Sequence, residues 1–329
     1  MRDFAYARTD RAAEAVQLVA RRADAAFIAG GTDLLNLMKD GAEDHDLVVD
    51  INRLPLKDIE VSRDKLHIGA LARMADVAMH PVVRRQLPVL SQALLAGASP
   101  QVRNVASIGG NLLQRTRCGY FRNEEFACNK RRPGSGCSAL EGRNRWHAIL
   151  GVSDHCIAVH PSDLAVALRA LDATVHTFGP DGARTIAMAD FHRVPGDTPH
   201  IDNSLRHGEL VTAVEIPLPD SRNTRQRYLK VRDRATFEFA VVSVAAVLRT
   251  RGRSVEDARL AFGGVGTRPW RSAEAESVLR GKPLTERNIA AAGRILVKEA
   301  QPRPDNAFKA ELVQRALQDT LGRFTGGSR

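Results

Sequence analysis

The chain has 329 residues, 43% of them hydrophobic and 26% charged, with a formal net charge of +10; that length exceeds one ordinary core and predicts two or three domains of a globular protein. It contains no run of about eighteen apolar residues, which excludes a membrane-spanning helix, and its charge-broken N-terminal stretch reads as no signal peptide. The cations are spread out, aromatics are 5% and no helix-turn-helix or zinc-finger spacing occurs, so nucleic acid is not an expected partner. The basic balance suits a solvated surface, an acidic partner or an anionic cofactor.

In chain order, 12–22 reads as an amphipathic helix and "AAFIAGG" as a short buried strand ending in glycines. "TDLLNLMKDG" opens a helix with Thr32 or Asp33 as its cap, and "DLVVDINRL" is another strand, closing a βαβ-like unit near Lys57. "KLHIGALARM" follows as strand and turn, then two helical stretches, "MADVAMHPVVRRQ" and "PVLSQALLAGAS". "SDLAVALRALDA" is a helix, "TVHTFG" and "ELVTAVEIPLP" are strands, and "PLPDSRNT" is a linker. Beyond Tyr228, "VVSVAAVLRT" and "DARLAFGGVG" predict strands of a separate sheet, followed by helices from Ser272 to Phe324. The mixed order indicates α+β domains rather than a doubly wound sheet.

Two segments share one pattern. "FIAGGTDLL" (27–35) and "SIGGNLL" (107–113) each run Gly-Gly, a polar residue, then aliphatics. Glycines at a strand-to-helix turn aim backbone N–H groups at one point, where helix-end potential favours phosphate. Two such loops can clasp a diphosphate from two sides, although neither is the G-x-G-x-x-G fingerprint. A tight turn is the other reading of each, and Gly263-Gly264 reads as packing in the C-terminal sheet.

All four cysteines, Cys118, Cys128, Cys137 and Cys156, fall within 118–156. Disulfides need an oxidising compartment. Structural zinc normally uses close C-x2–4-C pairs, which are missing. A [4Fe–4S] cluster takes four thiolates at looser spacing, and the eight Lys or Arg against three acids within 115–145 would stabilise its negative charge. Cluster, zinc and free thiols all stay open on spacing and charge. His155 and His160 flank Cys156 and read as loop residues.

"FIAGGTDLL", "QVRNVASIGGNLL" and "HPSDLAVALRALDA", in that order, resemble the FAD-binding subunit of molybdenum hydroxylases, a family that includes xanthine dehydrogenase and carbon monoxide dehydrogenase. "KVRDRATFEFAVVSVAA" and "AFGGVGTRPW" extend the resemblance over the whole chain. Where the plain family member runs almost directly from the second Gly-Gly to the Ser-Asp motif, 114–159 intervene here and carry every cysteine. That insertion looks most like the flavin subunit of the periplasmic aldehyde oxidoreductases. The resemblance implies a [4Fe–4S] cluster on Cys118, Cys128, Cys137 and Cys156. It implies FAD held by Phe27, Ile28, Ala29, Gly30, Gly31, Thr32, Asp33, Leu34 and Leu35, with Gly30, Gly31 and Thr32 at the diphosphate. Ser107, Gly110 and Asn111 belong to the second loop, Asp163 to the adenosine side, and Lys230 lies near the flavin unless it is a surface lysine.

The implied fold is α+β: an FAD-binding fold of the vanillyl-alcohol oxidase type at 1–220, with a small βαβ subdomain (1–57) and a larger one (58–220). A C-terminal domain of a small antiparallel sheet with helices occupies 221–329. The implied function is electron transfer. A molybdenum-cofactor large subunit oxidises an aldehyde, a [2Fe–2S] small subunit relays electrons to FAD, and an external acceptor takes them, within a heterotrimer. No catalytic side chain is expected. Export as a folded complex, on a partner's signal, would place it in the periplasm; the alternative is the cytoplasm. The rival readings are a stand-alone FAD oxidase and a non-enzymatic zinc scaffold.

Overall fold

The computed structural model describes residues 1–220 and 222–325. The chain opens with β1 (Ala5–Arg8), α1 (Ala12–Ala20), β2 (Ala25–Ile28), α2 (Leu34–Lys39) and β3 (Leu47–Asp50). These form the expected βαβ unit, a parallel sheet ordered β1-β3-β2. β3 is buried along its length because it is the central strand, and Ala15, Val16 and Val19 of α1 pack against it.

Next come β4 (Ile59–Val61), β5 (Lys65–Gly69), α3 (Met74–Met79), α4 (Pro81–Gln86) and α5 (Pro88–Ala96). The predicted helix over 74–86 is broken at His80-Pro81. Proline cannot donate to the preceding turn and holds the residue before it extended; His80 has ψ 131°. Short helices α6 (Pro100–Arg103), α7 (Ile108–Leu112) and α8 (Gly119–Arg122) precede α9 (Asp163–Ala170). β6 (Thr174–Gly179), β7 (Gly182–Ala187), α10 (Met188–Phe191) and β8 (Leu210–Pro217) complete a five-stranded sheet ordered β4-β5-β8-β6-β7. The β6–β7 hairpin turns at Pro180-Asp181, a turn pair that composition offered and the strand reading passed over.

The C-terminal part holds β9 (Thr224–Val231), β10 (Val242–Arg251), β11 (Ser254–Gly263), α11 (Ala273–Ser277), α12 (Glu286–Leu296) and α13 (Phe308–Thr325). β9 was not predicted, because its Arg and Lys residues mask the alternation. The expected linker therefore ends at Thr224, and the 220/221 boundary falls at Ser221, outside the described residues. The separate sheet has its own core on one face and shares the main core on the other. Val242, Val244, Ala246 and Leu248 of β10 face the helices α11–α13. Ala245 and Val247 join the main core with α5 and α9. Burial on both faces explains the unbroken apolar run of this strand. Among the described residues no helix is long and apolar enough to cross a membrane.

Candidate functional site

A cleft of about 450 Å³ is walled by both Gly-Gly segments, the start of α9 and β9. Of the residues expected at the flavin, all line it except Leu35, whose side chain lies beneath Gly31. Gly31 has φ +69°, a conformation glycine adopts without cost. Gly30 is held by proximity instead: a Cβ there would stand 2.4 Å from the Val105 carbonyl oxygen. Among the described residues no backbone acceptor takes the Gly31 or Thr32 N–H, so both remain for a ligand. The two Gly-Gly copies differ in structure. Gly30-Gly31 precede α2, whereas Gly109 and Gly110 lie inside α7, whose N-cap Ser107 accepts from the Gly110 N–H at 3.2 Å. Asn111 Oδ1 accepts from the Ser162 hydroxyl at 2.5 Å, and Ser162 in turn caps α9.

Asp33 does not cap α2 with its side chain. Its carboxylate is taken instead by the Arg115 N–H (2.8 Å), Arg117 Nη1 (2.5 Å) and Arg122 Nη2 (2.9 Å). These donors lie on both sides of Cys118, and no local signal announces them. At the other end of the cleft, buried Asp163 accepts from the Tyr228 hydroxyl at 2.5 Å and from Lys230 Nζ at 2.7 Å. The Lys230 side chain is 3% exposed, so it is not a surface lysine. Burial, then the Asp163 charge, pushes the Tyr228 hydroxyl well above its ordinary range.

The four cysteines line one small cavity and all are free thiols. Cys128 and Cys137 pair across an antiparallel bridge, closed by the Asn129 N–H to the Gly136 carbonyl at 2.7 Å. Burial pushes Cys118 up to about 12, Cys156 up to about 11, and Cys137 upward. Backbone N–H groups oppose this by pointing at the sulfurs: Phe121 and Tyr120 at Cys118, Ala139, Leu140 and Ile157 at Cys137, Ala158 at Cys156. Such donors favour a thiolate. Sequence reasoning missed His147, whose Nε2 lies 3.2 Å from Cys118 Sγ. Burial, then Lys309, lowers its pKa to about 4, leaving it neutral at pH 7. His155 lines the same cavity; His160 is half-buried, its ring tilted 58° against that of His192 at 4.1 Å.

The cations of the insertion do not crowd round the sulfurs as expected. Arg115 pairs with Glu43 and Asp202, Arg145 with Asp233, and Arg131 with the carbonyls of Tyr120, Phe121 and Phe126. Lys130, buried and paired with Asp202, is the cation that lowers a thiol, Cys156. A further cavity of about 430 Å³ lies between insertion and C-terminal sheet, walled by Cys118, Tyr120, Trp146 and His147, and shares Arg117, Asp163 and Phe239 with the cleft.

Residues 2–219 match the family model for the FAD binding domain in molybdopterin dehydrogenase, and 227–324 that for the CO dehydrogenase flavoprotein C-terminal domain. The chain is 49% identical over 323 residues to the aldehyde oxidoreductase FAD-binding subunit PaoB of Escherichia coli, covering 98% of each chain. It is 29% identical over 285 residues to the glyceraldehyde dehydrogenase medium chain of Sulfolobus acidocaldarius, covering 86% of this chain and 83% of that one. Among solved structures it resembles carbon monoxide dehydrogenase from Hydrogenophaga pseudoflava, with a TM-score of 0.76 at 25% identity, covering 97% of this chain and 96% of that one. The chain therefore belongs to the FAD-binding medium subunits of the molybdenum hydroxylase family, and is an oxidoreductase subunit.

Proposed function

We propose that this chain is the flavin subunit of a molybdenum-dependent aldehyde oxidoreductase, carrying FAD in the cleft and a [4Fe–4S] cluster on Cys118, Cys128, Cys137 and Cys156. The observation that carries the reading is the pairing of a glycine-walled cleft with a four-thiol cavity, in a chain 49% identical to an aldehyde oxidoreductase FAD-binding subunit. FAD, when bound, supplies one- and two-electron transfer; the protein supplies position and electrostatics. Gly30, Gly31 and Thr32 hold the diphosphate, Ser107, Gly110 and Asn111 close it from the other side, and Asp163 takes the adenosine side with Lys230, expected near the flavin, paired to it. Electrons arrive from a [2Fe–2S] partner subunit and leave to an external acceptor; the aldehyde meets a molybdenum-cofactor subunit. We further propose the division at about residue 220, and a periplasmic complex exported in folded form.

The thiols do not stand at the spacing of a single tetrahedral zinc site. Zinc–thiolate bonds of about 2.3 Å in a tetrahedron place sulfurs about 3.8 Å apart. Among the described residues the only His, Cys or carboxylate group with three donor atoms within 4.8 Å of one another is His67, His176 and Glu215, so no three thiols approach that closely. The test of the subunit role is purification of the complex from its own host. Aldehyde oxidation that tracks two unlike partner subunits supports it; turnover by this chain alone favours a stand-alone oxidase.

A further inference from the structure

The helix that follows the first Gly-Gly turn, α2, buries Leu37 and Met38. Leu37 packs in a small cluster with Ala42, Phe121 and Cys128, with Cys118 at its edge. Phe121 and both cysteines come from the insertion. Above this cluster the Arg115 guanidinium stacks 4.8 Å from the Phe121 ring. At the start of the helix, Asp33 is clamped by Arg115, Arg117 and Arg122. The Cys118 N–H donates to Thr116 Oγ1 at 3.2 Å and Arg122 Nε to the Thr116 carbonyl at 3.1 Å, so the clamp and the first thiol form one hydrogen-bonded turn. At the helix end, Gly41 leaves room for Glu124, whose carboxylate would overlap any Cβ there.

We propose that the insertion is the tertiary support of the flavin turn, so that metal occupancy of the cysteines sets the affinity for FAD, with Asp33 and Phe121 as the positioning residues that transmit it. This rests on the reading of the cysteines as metal ligands. Cys128 and Cys156 are buried and Cys118 and Cys137 half-buried, and where metal ties such loop thiols together, metal binding and local folding are one process. Without the metal, 115–128 loses its fixed course. Leu37 then loses its partners, and Asp33 stands at the diphosphate turn as an unpaired carboxylate, which repels the anion. Linkage makes the effect reciprocal: FAD must tighten metal retention by the same factor by which metal tightens FAD.

The experiment uses the full-length protein as purified, partners left in place, with metal content and FAD affinity measured on the same samples after flavin removal. Chelation of the parent, and Cys118→Ser, should each raise the FAD dissociation constant at least tenfold. Phe121→Ala should do so with the cysteines intact. Asp33→Asn needs no arginine to neutralise it, so its FAD affinity should respond to chelation several-fold less than the parent's. A parent holding no more metal than its Cys118→Ser variant overturns the cysteine reading itself. Metal present, but an FAD affinity unchanged by chelation and by a folded Phe121→Ala variant, overturns the coupling.

Discussion

Gly30 and Val105 meet so closely that a Cβ on Gly30 would stand 2.4 Å from the Val105 carbonyl oxygen and 2.9 Å from its carbon. The contact is backbone on backbone, so neither side can swing away. It sets the spacing of the two Gly-Gly segments that wall the cleft. Gly30→Ala must push them apart, at an overpacking cost of about 1–3 kcal/mol, and should lower FAD content after gel filtration. Gly31→Ala meets the Leu35 and Ile28 side chains at 3.0 and 3.3 Å and must hold a Cβ at φ +69°, a strain of about 1–2 kcal/mol, so it too should lose FAD. Equal, full flavin content in both variants would sink this assignment.

Asp163 and Lys230 form a buried pair whose side chains are 8% and 3% exposed. Lys230→Met leaves the carboxylate with Tyr228 alone, and removal of one member of a buried pair costs about 3–5 kcal/mol. Urea unfolding should show that loss. Adding Asp163→Asn should restore part of it, since no uncompensated charge then remains. A double variant no more stable than Lys230→Met alone would argue against the pair as the cause.

Lys309 is fully buried, and its ammonium donates to the carbonyls of His147 and Gly264 at 2.9 and 2.7 Å. Burial, then the Arg145 charge, lowers its pKa from 10.5 to about 7. Between those values the unfolded chain holds a proton that the native chain lacks. Stability from this group therefore rises as pH climbs from 7 toward 10.5, by up to about 1.4 kcal/mol per pH unit. Below 7 both states carry the proton and the burial cost is present in full. Unfolding free energies of parent and Lys309→Met should diverge with this slope between pH 7 and 9; parallel curves would contradict it.

The thiols of Cys118 and Cys156, raised to about 12 and 11 by burial, are protonated at neutral pH unless metal displaces the proton. Metal affinity must then fall as pH falls, because ligation releases protons. Iron retained against a fixed chelator concentration should be much lower at pH 6 than at pH 8. Retention independent of pH would mean that the thiols are not the ligands.

The cleft's first glycine turn and the convergence of the cysteines were legible because their signals are local: Gly-Gly after an apolar strand, and cysteines confined to one insertion. The βαβ unit and β10 were legible from period and apolar runs. What was not legible depends on distance along the chain. His147 reaches Cys118 across 29 positions, and Asp33 reads as a helix cap until Arg115, Arg117 and Arg122 arrive from 82 to 89 positions away. The second Gly-Gly pair copies the first in sequence but sits inside α7, because Ser107 rather than the glycines starts that helix. β9 was hidden by charges whose aliphatic stems and ion pairs are satisfied at the sheet edge, as Arg227 is by Asp319.

The most direct measurement is iron, acid-labile sulfide and FAD per chain in the anaerobically purified protein, set against its single Cys→Ser variants so that iron on partner subunits cancels. The account predicts a parent excess of about four irons and four sulfides per chain, lost for the most part in each of the Cys118, Cys128, Cys137 and Cys156 variants, together with bound FAD in the parent. Zinc in place of iron, or parent and variants with equal iron, would contradict it.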